Sequence, residues 1–338
     1  MSKAPYGFAK KAKPKVSEVF DTYWKFAAER QNTFFARVNG DEAPWTGDPI
    51  LLQYKFTNAY RASDRVSQYL IKHVIYSKKW SLTDTVFRIL LFKVFNKIET
   101  WELLEHCFGE ISYREFNLKR YERVLDQAMA SKASIYSAAY IMPSGPKKKY
   151  EGIRKHRFHL ELIEHLMKSG FPKKLHQCES MEEAYETFLA VESLGAFLAY
   201  QFVTDVNYSE WLGFSEMEFV VPGPGAKDGI KKCFVDPGEY SEQDIIKLMA
   251  NEQTCHFERL GINFQSLYGR SLQLIDCQNL FCEVDKYSRV AHPDVQGYSG
   301  RTRIKQQFKP RQEPIDVWYP PKWGINESIL IGKNMAAV

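Results

Sequence analysis

The chain has 338 residues, 44% of them hydrophobic, enough apolar side chain for one large domain or two packed ones. Its mean hydropathy is −0.40, and no run approaches the ~18 uninterrupted apolar residues of a membrane-spanning helix. The amino terminus carries lysines and prolines without an apolar signal core, so a cytoplasmic protein is expected. Six dispersed cysteines lack CxxC spacing, which argues against a disulfide framework and against structural zinc.

A net charge of +5 says little about partners by itself. Its distribution says more. Basic clusters lie at residues 10–15, at Lys147, Lys148 and Lys149 followed by Arg154, Lys155, His156 and Arg157, and at residues 301–311. Each reads singly as a solvated face; together they favour a polyanionic partner.

In chain order, residues 1–15 read as a flexible basic arm. Helical spacing starts near Val16, with Phe20, Tyr23, Trp24 and Ala27 on one face. A loop at residues 44–49 precedes residues 50–75, which read as one long amphipathic helix. Ser81 and Asp84 signal the start of the next, running through Val86, Leu90, Val94 and Ile98. Arg88 and Lys93 interrupt its apolar run, so it reads as a core helix. Residues 100–108 and 118–133 continue the helical theme up to a Pro/Gly break at residues 143–146. Helices resume at 155–169, after Ser180 to about Asp205, and at 241–260. Residues 218–221 are briefly strand-like and 272–274 are ambiguous. The expectation is an all-α fold of two packed helical subdomains, residues 16–142 and 150–330.

The segment Val221-Pro222-Gly223-Pro224-Gly225-Ala226-Lys227 is the sharpest local motif. Glycines around one proline suit a tight turn at a helix start, where free N–H groups and the helix dipole favour a phosphate. A plain Pro/Gly loop is the equally simple alternative. Asn58, Arg61 and Arg65, on one face of the expected helix, form a polar stripe with Gln68 that either lines a base pocket or satisfies buried groups internally. Tyr60, Tyr200 and Trp211 are stacking candidates or core residues. Arg289, Arg301 and Arg303 are candidate phosphate contacts. No residue pattern points to a catalytic metal.

The hairpin at residues 221–230 resembles that of the helix-hairpin-helix DNA glycosylase superfamily. Val284-Asp285-Lys286-Tyr287-Ser288-Arg289-Val290 resembles that superfamily's catalytic-aspartate segment, at a longer spacing from the hairpin. The resemblance implies a catalytic role for Asp285, whose alternative is an i,i+4 ion pair with Arg289. It places Lys227 where lyase members carry a Schiff-base lysine, the alternative being a phosphate contact. It also implies a monovalent cation at the hairpin carbonyls. Asp205 and Asn207 lie just before the hairpin, and the resemblance implies that they are secondary candidates for acid–base support and base reading.

A longer resemblance is carried by residues 56–66, 87–100, 223–227, 282–287 and Pro320-Pro321-Lys322-Trp323. These are similar to the family named for α-glutamyl/putrescinyl-thymine pyrophosphorylases, seen also as the helical domain of 5-hydroxymethyluracil DNA kinases. The kinase forms carry a GxxxxGK[ST] loop, which this sequence lacks. The expectation drawn is a monomeric glycosylase, active in anti-phage defence, that flips a bulky modified base out of double-stranded DNA and excises it. The alternatives are a non-catalytic module binding modified DNA and a transferase that hypermodifies thymine.

Overall fold

The structure is a computed structural model, described here for residues 11–138, 142–145, 150–310 and 315–329. The Lys147 to Lys149 cluster and Arg311 lie outside the described residues, as does the first part of the expected arm. The fold is all-α, as its periodicity predicts, apart from one two-stranded ribbon among the described residues. No helix among the described residues is long and apolar enough to cross a membrane.

The helices are α1 (Val19–Asn39), α2 (Pro49–Gln53), α3 (Arg65–Tyr69), α4 (Leu82–Phe95), α5 (Ile98–Phe108) and α6 (Leu118–Ala130). They continue as α7 (Lys155–Lys168), α8 (Phe171–Gln177), α9 (Met181–Leu189) and α10 (Ala196–Asn207). The last three are α11 (Pro224–Cys233), α12 (Glu242–Arg259) and α13 (Leu274–Ala291). Strand β1 (Lys15–Val16) pairs antiparallel with β2 (Phe234–Asp236).

Two compact units divide the chain discontinuously: Met1–Asp64 with Glu216–Val317 and Gly324–Val338, and Arg65–Ser215 with Trp318–Trp323. The division therefore falls near residues 64 and 215 rather than at the Pro/Gly break near residue 143. The break interrupts helices only locally, because α6 and α7 on either side of it remain tied. Arg157 of α7 pairs with Glu122 of α6, and Arg154 reaches Asp126 at 2.6 Å.

In the first unit, α1 buries Phe20, Tyr23, Trp24 and Ala27, the face its spacing predicts, and Phe34 beyond them. The described part of the expected arm is held to the fold. Ser17 N–H donates to the Cys233 carbonyl at 2.9 Å, and Lys11 Nζ pairs with Asp244 at 3.0 Å, so residues 11–17 are tied down.

The expected helix over residues 50–75 is not continuous. Asp48 caps a single turn by accepting from Ile50 and Leu51, and the chain then runs extended. A 3-10 turn (Arg61–Ser63), α3 and a π-helical turn (Leu70–Ile75) follow. Short polar side chains compete with the helix for backbone groups. Asp64 accepts from Asn58 N–H at 2.8 Å, and the Asn58 amide donates to the Ser63 carbonyl at 2.8 Å. The supposed stripe of Asn58, Arg61 and Arg65 thus does not lie on one helix.

In the second unit, α4 is capped by Ser81, as predicted, and is buried from Thr85 to Phe95. A helix apolar on all sides must neutralise its charges internally. Arg88 does so by donating to the carbonyls of Val74 (2.7 Å), Ile111 (2.7 Å) and His73 (3.1 Å), while its guanidinium lies 4.0 Å from the Trp80 ring centre. Burial lowers its pKa to about 10. Lys93 instead pairs with Asp205 of α10 at 2.7 Å. The helix expected from Ser180 to Asp205 is split into α9 and α10. Lys322 of the Pro-Pro-Lys-Trp segment donates to the carbonyls of Asn207, Ser209 (3.2 Å) and Leu212 (2.7 Å), a cation at the carboxyl end of α10.

Candidate nucleic-acid interface

Helix α11 begins inside the glycine motif, with Gly223 at its N-cap and Pro224 in its first turn. The preceding α10 ends at Asn207, and residues 208–223 are irregular, so the motif does not immediately follow a helix. Gly223 has φ −75° and Gly225 is not among the glycines with positive φ, so neither is required for a left-handed turn. Close packing explains Gly225 and Gly229 instead. A Cβ on Gly225 would lie 2.3 Å from Cys282 Sγ, and one on Gly229 would lie 2.0 Å from the Phe281 carbonyl oxygen. The backbones of α11 and α13 meet at Gly229, while Gly225 packs against the Cys282 side chain.

Lys232 extends the same face, at i, i+4, i+7 from Gly225. Its ammonium meets Asp285 Oδ1 at 3.1 Å and the Asp285 carbonyl at 3.0 Å. Asp285 Oδ2 accepts from Arg289, whose other nitrogen donates to the Arg303 carbonyl at 2.9 Å. Asp285 and Lys232 are 3% and 2% exposed, so this is a buried lysine–aspartate–arginine group with both carboxylate oxygens engaged. The motif and the aspartate do meet, but through Lys232, a residue the motif reading leaves out although its helical offset from the glycines is visible in the sequence. Lys227 turns to Glu242 at 3.0 Å and is half exposed.

A second buried carboxylate, Asp228, anchors the following irregular segment. It accepts from Ser299 N–H at 2.9 Å, from the Ser299 hydroxyl and from Arg301 at 2.9 Å. These donors hold its carboxyl below the usual range despite its burial. Further along, Lys55 N–H donates to the Gln306 carbonyl at 3.0 Å and Phe308 N–H to the Gln53 carbonyl at 2.9 Å. Residues 299–308 are therefore pinned at Asp228, at Arg289 and against the end of α2, while Arg303, Lys305 and Lys309 face solvent and Arg301 is half exposed on Asp228. Irregular chain held this firmly with its cations outward is the composition of a phosphate-binding surface. The exposed Lys231 and Lys227 of α11 complete it.

The expected pocket residues are placed as follows. The Asn58 side chain is occupied by Ser63 and by Arg30 Nη2 at 3.0 Å. Arg61 is buried, its N–H bound to Asp276 at 2.8 Å. Asn207 mimics a backbone pair, bonding both the N–H (3.1 Å) and the carbonyl (3.2 Å) of Phe214. Tyr200 is buried, and Arg65 is exposed 3.9 Å from Glu99. Asp205 is 1% exposed in its pair with Lys93. Among the described residues there is no group of three His, Cys, Asp or Glu positioned to hold a metal ion.

Burial pushes the Asp64 carboxyl up to about 7, against the lowering effects of the Asn58 N–H, Arg30 and Arg61. A carboxyl raised in the folded state favours folding while protonated. Its contribution is full below the unfolded value of 3.8 and is lost as pH rises toward about 7. Asp276, raised to about 6 by burial, acts in the same sense. Asp64→Asn should therefore flatten the decline of stability between pH 4 and 7, read as the urea midpoint at each pH. An unchanged slope would assign that titration to other groups.

The family described as "5-hmdU DNA kinase, helical domain" matches residues 17–297. The 5-hmdU DNA kinase of Bacillus phage SP10 is 27% identical over 322 residues, covering 89% of this chain and 50% of that protein. The chain thus spans about half the length of the curated relative it matches. No solved structure matches it. These findings correct the expectation of a base-excising hydrolase, because the matching domain and the relative are both named for a DNA kinase, a group-transferring enzyme. With glycosidic hydrolysis go the excision role expected of Asp285 and the lyase role expected of Lys227. With a match that runs from the tied-down amino-terminal segment through the whole of α13, the chain belongs to the family of 5-hmdU DNA kinase helical domains.

Proposed function

We propose that this chain engages duplex DNA carrying a modified pyrimidine, as the DNA-holding part of a transferase that elaborates the base. The observation that carries this reading is the pinned basic segment at residues 299–309, set beside the amino end of α11. The match to a DNA kinase helical domain supports it and supplies the substrate class. Substituents at pyrimidine C5 project into the major groove, so a hydroxymethyl oxygen there is open to an acceptor role once the duplex is held in register. Phosphate contacts supply that register without reading sequence. The sequence has no GxxxxGK[ST] loop, so the phosphoryl donor is not assigned to these residues.

Anisotropy titrations on duplexes containing 5-hmdU or thymine, over a range of salt, test the reading. Affinity should fall steeply with salt, and the 5-hmdU duplex should bind more tightly. Removing Lys231, Arg303, Lys305 and Lys309 together by alanine substitution should flatten the log–log salt slope by about 0.9 for each phosphate no longer neutralised. Nucleoside analysis of the recovered DNA should find the modified base still attached to its sugar. Binding without salt dependence, or an unaltered slope in the fourfold variant, sinks the proposal.

A further inference from the structure

Tyr298 is the most exposed large apolar side chain among the described residues, at 71%. Its exposure is not slack in the chain. It sits in a turn over residues 297–300, closed by Gly300 N–H donating to the Gly297 carbonyl at 3.3 Å, with Gly300 at φ 61°. The turn rests on Asp228, a carboxylate only 2% exposed. Ser299 binds that carboxylate through both its N–H and its hydroxyl, and Arg301 binds it through its guanidinium. Gly297 packs so closely that a Cβ there would lie 2.9 Å from the Asp228 Cβ and Oδ1. Burying a carboxylate is costly without partners, and here they come from the turn that lifts the ring into water and from the residue that follows it. One cation stands beside the ring, Lys231 Nζ at 6.0 Å from its centre, and Arg301 follows three residues on, its guanidinium held by Asp228.

We infer that Tyr298 is a base-stacking residue, held on a rigid turn to enter the stack of a duplex bound along the basic segment, beside the pyrimidine to be modified. The inference rests on the proposed DNA engagement. An exposed aromatic ring beside a lysine, on a basic segment, fits a nucleobase and its phosphates. It fits the core of a protein interface poorly, because such cores are depleted in lysine. A ring inserted at the step beside the modified pyrimidine would give its hydroxymethyl group more room in the groove, and its own stacking would offset part of the stacking lost.

The test uses a duplex with 2-aminopurine next to 5-hmdU, whose fluorescence rises when its stack is broken. The wild-type chain should raise the signal on binding. Tyr298→Ala should abolish the rise and weaken binding about tenfold, with the salt slope and the melting temperature unchanged. Tyr298→Phe and Tyr298→Trp should keep both the signal and the affinity. Asp228→Asn, which leaves the ring but loosens its support, should reduce the rise more than it reduces salt-dependent binding. The inference is overturned if Tyr298→Ala retains the rise, if the phenylalanine variant is as impaired as alanine, or if the loss appears as a changed salt slope. A wild-type chain that binds with salt dependence but gives no rise removes this inference alone. One that binds no duplex removes the proposed function with it.

Discussion

Gly229→Ala is expected to destabilise the protein by about 3 kcal/mol, although alanine is the better helix former. In an exposed helix the same change stabilises by about 1 kcal/mol, so the sign itself is diagnostic. The added Cβ would meet the Phe281 carbonyl oxygen at 2.0 Å, its carbon at 2.6 Å and the Phe281 Cα at 3.0 Å. All three are backbone atoms of α13, so relief requires the two helices to separate. Separation would also lengthen the Lys232–Asp285 contact of 3.1 Å on the same face. Gly225→Ala should be milder, because its Cβ meets the Sγ of Cys282 at 2.3 Å, and that atom belongs to a side chain. Cys282→Ala, which deletes the sulfur, should recover most of the loss at Gly225 and none at Gly229. Urea midpoints of the singles and the two doubles give the comparison. A Gly229→Ala protein within about 1 kcal/mol of wild type would mean that α11 and α13 do not touch through their backbones.

Asp205→Ala is expected to cost about 3–5 kcal/mol, because it leaves the Lys93 ammonium buried without its carboxylate. The two side chains are 3% and 1% exposed and 2.7 Å apart, between α4 and α10 at the centre of the second unit. The single change Lys93→Met should be comparably harmful, since it strands the carboxylate. The double variant Lys93→Met, Asp205→Leu should recover most of the stability, because removing both charges removes the desolvation cost along with the attraction. A large positive coupling in this double-mutant cycle marks a structural pair. Additive losses in the cycle would show that the two groups do not depend on each other.

Much of the helical framework is legible locally. Ser81 accepts from Asp84 N–H, Ser180 from Glu183 N–H and Ser241 from Asp244 N–H, each where the cap signal stands in the sequence. The buried stripe of α1 and the wholly buried α4 follow from the spacing of apolar residues. The break within residues 50–75 does not. Its apolar periodicity is helical, but the backbone is taken up by non-local acceptors: Thr57 N–H by Glu283 at 3.0 Å and Arg61 N–H by Asp276 at 2.8 Å. Both carboxylates come from α13, more than two hundred positions along the chain, and no local pattern contains them.

The glycine motif at residues 221–227 divides along the same line. Composition, helical periodicity and caps are short-range properties, so the all-α class, the cap positions and the core faces could be read directly from the order of residues. The same holds for the exposed arginines of the carboxyl-terminal basic cluster. Whether Gly225 serves a turn or a packed interface depended on what lies opposite it, and that is Cys282. Whether Asp285 is an available carboxylate depended on Lys232 and Arg289, which engage both its oxygens in a buried site. Distances between segments remote in sequence are set by packing, and the chemistry open to a charged side chain is set by those distances. Tertiary structure therefore decided that the motif's glycines and Asp285 belong to one tightly packed helix pair, with the irregular basic segment pinned beside it.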